Sequence, residues 1–229
     1  MTKIVGVGAL MMVVAVSTGC LTRETVESIY MEADGTATWT VVERDTRSDE
    51  RHDAGQLEET DYIAAAFLGQ HPMARALETL RPLRIHTEIL RSSRPYTVQT
   101  EASYRSFDDL MDTFASEIGV ESNSAIDARS TVVRQGTVVT WTISRRDRRE
   151  NDTASDDGRE MPIQALLDSF DHCRFVLTSG HFTNAVGFEI SGDGRIATIE
   201  SHSASADSST PASSADAPEV LSLTWDAAR

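Results

Sequence analysis

Three tryptophans occur in this 229-residue chain, and each directly follows a threonine: TATWTVV around Trp39, VVTWTIS around Trp141 and LSLTW ending at Trp225. Read with a period of two, Ala37, Trp39 and Val41 point one way while Thr36, Thr38 and Thr40 point the other. Val139, Trp141 and Ile143 stand in the same way against Thr140, Thr142 and Ser144, and Leu221, Leu223 and Trp225 repeat the apolar half. Alternation of this kind belongs to antiparallel sheets with one covered face and one wetter face. The tryptophans read as core rather than as ligand platforms.

Turn chemistry divides the strands into hairpins. Asp34-Gly35 precedes the first Trp strand and Gln135-Gly136 the second. SSRPY at 92–96 separates Leu83–Leu90 from Tyr96–Tyr104, and SGDGR at 191–195 joins Val186-Phe188-Ile190 to Ile196–Ile199. Glycine supplies the positive φ that such reversals need. Helical spacing appears between the hairpins. Phe107, Leu110, Met111, Phe114 and Ile118 recur on one side of SFDDLMDTFASEIG, with Ser106 placed to cap and Asp108 and Asp109 at the positive end. MPIQALLDSF repeats the logic from Pro162 through Ile163, Leu166, Leu167 and Phe170. A third helix around Gln56–Leu68 carries Ile63, Ala66 and Phe67, with a short one after Pro72. The fold class is α+β: antiparallel β-hairpins alternating with helices, ββαββαββα plus C-terminal strands, the helices packed on one sheet face.

TWTVVERDTRSDE (38–50) and TWTISRRDRREND (140–152) fit either an internal duplication or convergence on a generic strand-plus-loop pattern. ERDTRSDERHDAG and RRDRRENDTASDDGRE read as charged loops, and SHSASADSSTPASSADAPE as a Ser/Ala/Asp linker unable to bury a core. The chain divides into a leader (1–19), an α+β domain (20–200), a low-complexity loop (201–218) and a C-terminal strand (219–229) that returns to the sheet edge.

The leader carries a basic start at Lys3, thirteen uncharged positions from Ile4 to Val16, and then Ser17, Thr18, Gly19 and Cys20. Thirteen residues make a helix of about 20 Å, short of a hydrocarbon core of roughly 30 Å. Basic, apolar and small-residue parts in that order make a secretory signal. The segment resembles the lipobox of bacterial lipoprotein precursors, with Ser17 standing where Leu is commonest. The resemblance implies cleavage between Gly19 and Cys20, diacylglyceryl transfer to the Cys20 thiol, and an envelope protein held by its lipid. The same resemblance, with Leu21 rather than Asp after the cysteine, implies the periplasmic face of the outer membrane in a Gram-negative cell. Lipidation of Cys20 leaves Cys173 without a disulfide partner.

A formal net charge of −15 disfavours nucleic-acid binding and discourages the body from lying flat on anionic lipid. No catalytic constellation emerges. Asp171-His172-Cys173 sets a carboxylate, an imidazole and a thiol side by side, but neighbours on a strand face opposite ways. The six histidines lack metal-site spacing, and NDTASDDGRE matches a calcium loop in composition only, with Thr153, Ser155 and Gln164 at ligand positions. SRRDRRE (144–150) is a local basic patch that nearby carboxylates can neutralise. The expectation is a non-enzymatic, lipid-anchored binding or scaffolding module without cofactor or metal. Its partners are the membrane, through the lipid, and an envelope protein or glycan. The alternatives are a structural spacer, or a periplasmic hydrolase using Asp171, His172 or His181.

Overall fold

The computed structural model describes residues 21–48, 53–122, 128–145, 173–199 and 220–227. Strands β1 (Leu21–Met31) and β2 (Ala37–Ser48) form the first hairpin. Helices α1 (Asp53–Phe67) and α2 (Pro72–Glu78) follow, then the hairpin β3 (Arg84–Arg91) and β4 (Tyr96–Tyr104). Helix α3 (Phe107–Ser122) leads to the hairpin β5 (Ala128–Gln135) and β6 (Val138–Arg145). Then come β7 (Cys173–Leu177), β8 (His181–Val186), β9 (Phe188–Ile190), β10 (Ile196–Ile199) and β11 (Val220–Asp226). The helix expected at MPIQALLDSF lies outside the described residues.

The strands make two open sheets, a seven-stranded one ordered β3-β4-β2-β1-β7-β10-β9 and a four-stranded one ordered β5-β6-β11-β8. Every neighbouring pair is antiparallel except β1 with β7, which run parallel with Ile29 opposite Phe175. One face of the larger sheet is covered by the three helices and by the smaller sheet. Alternation works as the sequence requires: Ala37, Trp39 and Val41 are buried, as are Val139, Trp141 and Ile143 and then Leu221, Leu223 and Trp225. The two Trp-strand segments belong to different sheets, β2 in the larger and β6 in the smaller.

Phe107 ties the layers together. Its ring meets Trp141 at 5.1 Å, Trp225 at 6.0 Å and Phe175 at 6.4 Å between centroids, all near edge-to-face, the geometry in which ring quadrupoles attract. Farther along α3, Phe114 packs on Trp39 at 5.6 Å. Ser106 caps the helix as its sequence suggests, its Oγ accepting from the Asp109 N–H at 3.1 Å. Ser106→Ala is expected to cost about 1 kcal/mol, measurable as a lowered urea midpoint at unchanged slope.

Four expectations need correction. Glu43–Ser48 is strand rather than loop: β2 continues through a bulge at which Asp45 takes φ 51°, and Glu43, Thr46 and Ser48 are buried. The expected strand through Val186, Phe188 and Ile190 is divided at Gly187 (φ 76°), which hands the chain from the smaller sheet to the larger. β11 inserts between β6 and β8 instead of lying at an edge, so both its backbone sides are paired. On α1, Phe67 does not join Ala66 in the core; it is 75% exposed.

Candidate functional site

The uncovered face of the seven-stranded sheet is hollow. Opposite in phase to the core positions, β1 presents Val26, Ser28, Tyr30 and, just beyond its end, Glu32. β2 presents Thr38, Thr40, Val42 and Arg44, β4 presents Thr97, Gln99, Glu101 and Ser103, and β7 adds Arg174. Together with Leu90 they line a concavity of about 550 Å³. Twist in a wide sheet, reinforced by the β2 bulge, produces such a saddle. Ser28 and Thr40 are buried near its centre, whereas Arg44 and Arg174 are exposed. Gln99 Nε2 donates to Glu101 Oε1 at 2.8 Å, which holds one carboxylate in place. Hydroxyls able both to donate and to accept thus alternate with a phenol, two guanidiniums and short apolar side chains. The smaller sheet's outer face is also hydroxyl-bearing, with Thr140 and Thr224 3.2 Å apart, but no lining side chain of the hollow comes from it.

A second polar group sits inside the protein. Arg23 Nε lies 2.9 Å from Glu43 Oε1, and His71 Nε2 lies 3.5 Å from Glu43 Oε2. The Tyr62 ring meets the His71 ring edge-on at 4.8 Å. Burial pushes the Glu43 carboxyl up, opposed by the Arg23 guanidinium. Glu27 is raised to about 7 by burial, with a hydrogen bond to Trp39 pulling the other way and Glu43 adding to the rise. His71 is lowered to about 4 by burial and by Arg23, so its imidazole is neutral at pH 7 and its approach to Glu43 is a dipolar contact rather than an ion pair. Burial and Glu43 raise Tyr62, and burial and Glu27 raise Cys173. A neutral, fully enclosed thiol is no nucleophile. The group is interior structure between β1, β2, α1 and the start of α2, with Glu27, Glu43 and His71 each under 5% exposed.

Of the residues nominated from sequence, Gly19, Cys20, Asp171 and His172 lie outside the described residues. Cys173 is buried on β7, and His181 is exposed on β8, opposite Asp226 in the smaller sheet. The hollow belongs to the larger sheet, so His181 is not one of its groups. The calcium-like loop is outside the described residues, as is the basic patch beyond Arg145. Among the described residues no three His, Cys, Asp or Glu side chains are grouped to hold a metal ion, and no helix is long and apolar enough to cross a membrane.

Sequence reasoning missed both polar groups. The signal for the interior one was present: Arg23 and Glu27 share the odd phase of Ile29 and Met31, and Glu43 shares that of Trp39 and Val41. Charged residues in core phase mark a buried polar cluster. For the hollow, alternation marks Thr38 and Thr40 as the wet face, but Arg174 arrives through the parallel β1–β7 pair, which no local pattern encodes.

No protein-family model matches the chain, and no curated protein is similar to it in sequence. Among solved structures it is similar to the NMR structure of the folded domain of LppM from Mycobacterium tuberculosis, at 10% identity over 89% of each chain with a TM-score of 0.34. A likeness of that degree says nothing about function.

Proposed function

We propose that the protein is a lipid-anchored module of the bacterial cell envelope that binds a polyhydroxylated ligand, an envelope glycan, in the hollow of its larger sheet. The lipobox-like Leader with Cys20 supports the anchor, and the concave, hydroxyl-lined face supports the binding role. The single observation that carries the reading is the convergence of Ser28, Thr38, Thr40, Gln99 and Glu101 with Tyr30 and Arg174 around one concavity. Sugar rings offer hydroxyl edges and apolar C–H faces; threonine, glutamine and carboxylate groups match the first, tyrosine and valine the second. Binding rather than catalysis is the expected activity.

The test is calorimetric titration of the detergent-solubilised mature protein with soluble oligosaccharides prepared from peptidoglycan and from neutral exopolysaccharide. Saturable binding that weakens about tenfold in Tyr30→Ala and in Arg174→Ala, with melting temperatures held, is the expected result; about 1.4 kcal/mol corresponds to that factor. Affinity in both variants equal to the parent's, or no binding of any oligosaccharide, rejects the hollow as a glycan site.

A further inference from the structure

The end of the larger sheet at which β1 begins has an unusual make-up for so acidic a protein. Register places Leu21 opposite Ser48 and Thr22 opposite Arg47, while Tyr96 pairs with Thr46 and Arg91 with Thr97. The start of β1, the end of β2 and the β3–β4 turn therefore share one end. Arg47 and Arg91 are exposed there, and so is Arg94, whose Nη2 donates to the Ser48 carbonyl at 3.2 Å while its Nε lies 3.0 Å from Glu59 Oε1. Two exposed leucines flank them. Leu90 is 51% exposed at the end of β3; Leu57 is 63% exposed on α1, next to Glu58, whose Oε2 accepts from Ser48 Oγ at 2.9 Å. Across positions 21–22, 46–48 and 90–97 every charged side chain is an arginine, while Glu58 and Glu59 reach this end from α1, Glu59 paired with Arg94. Asp45 and Glu24 lie farther into the sheet, Glu24 opposite Arg44, and Asp49, Glu50 and Arg51 follow Ser48 outside the described residues.

Leu21 is already part of β1 and packs beside Tyr62, Ala66 and Val98, so no spacer separates position 20 from the folded body. Any lipid on Cys20 brings this end of the sheet to the bilayer surface. The net negative charge opposes a flat orientation, and the arginines favour an end-on one. We propose that this end of the sheet is a bilayer-contact surface, with Arg47, Arg91 and Arg94 engaging the phosphates of anionic lipid headgroups and Leu57 and Leu90 entering the interface. The inference rests on the lipid-anchor reading of Cys20 and shares only Leu90 with the lining of the hollow. It sets the domain upright, with the β1–β2 turn at Asp34-Gly35 pointing away from the membrane, about 35 Å distant at 3.3 Å per residue.

The test uses the mature acylated protein in vesicles of phosphatidylethanolamine and phosphatidylglycerol containing lipid with brominated acyl chains. A thiol-reactive fluorophore is placed in Ser93→Cys, at the β3–β4 turn, or in Ala33→Cys, at the opposite end; Cys173 is buried and Cys20 is blocked by its lipid. The expected result is at least threefold stronger quenching at position 93 than at 33. That excess disappears in the Arg47→Gln/Arg91→Gln/Arg94→Gln variant and when phosphatidylcholine replaces phosphatidylglycerol. Equal quenching at both positions, with an intact mass showing acylated Cys20, overturns the contact surface and leaves the anchor standing. Excess quenching indifferent to the arginines and to lipid charge overturns phosphate recognition, and an unacylated Cys20 overturns anchor and surface together.

Discussion

Phe107→Ala is expected to lower the unfolding free energy by about 3–5 kcal/mol and the melting temperature by about 10 °C. The reason lies in position rather than size alone. Phe107 is 1% exposed and its ring touches Trp141 and Trp225 from the smaller sheet and Phe175 from the larger one. Its backbone N–H also donates to the Gly35 carbonyl at 3.1 Å, tying the start of α3 to the β1–β2 turn. Truncation leaves a cavity walled by three large rings held by separate strands, which cannot close it without moving the sheets relative to one another. Against a typical total stability of about 5–15 kcal/mol the loss is large. Urea denaturation followed by tryptophan fluorescence measures it, because the rings that report are the ones the cavity loosens. A loss below about 1 kcal/mol would mean that the two sheets do not share this core.

The contrast between α3 and α1 shows which parts of the fold local sequence encodes. In α3 the apolar positions, the Ser106 cap and the acidic first turn all agree, and Phe107, Leu110, Met111 and Phe114 are buried. In α1 the apolar residues do not form one stripe: Tyr62 and Ala66 are buried, while Leu57 and Phe67, and Leu68 just past its end, face outward. Tertiary placement against β2 and β3, not periodicity, decides which face is covered. Period two placed the tryptophans correctly, yet it could not say that Trp39 and Trp141 lie in different sheets, since strands of either sheet show the same alternation. The β1–β7 pairing joins residues almost 150 positions apart and fixes where Arg174 enters the hollow. Glu43 to Ser48 reads as loop in the sequence because charge there outweighs alternation. A bulge and a buried ion pair make strand of it.

The interior group gives the second large effect, visible only when its members are separated. Glu27 titrates near 4.5 in the unfolded chain and at about 7 in the folded one. The folded protein keeps a proton that the unfolded chain has released, so this contribution is complete below pH 4.5 and is lost as pH rises toward 7. His71 runs the other way, from 6.5 unfolded to about 4 folded. Its contribution is complete above pH 6.5 and is lost as pH falls toward 4. Each shift corresponds to about 3 kcal/mol, and between pH 4.5 and 6.5 the two slopes oppose each other. Glu27→Gln leaves the histidine uncompensated, so relative to the parent its stability falls by roughly 2–3 kcal/mol between pH 6.5 and 4.5. His71→Leu leaves the acid uncompensated and rises by a similar amount over the same interval. Glu43, also raised by burial, is common to all three proteins and drops out of the differences. Exposed carboxylates such as Asp34 and Asp193 drop out in the same way. Urea midpoints at half-unit pH intervals measure the profiles, and two variants that merely parallel the parent would show that neither side chain is ionically silent in the folded protein.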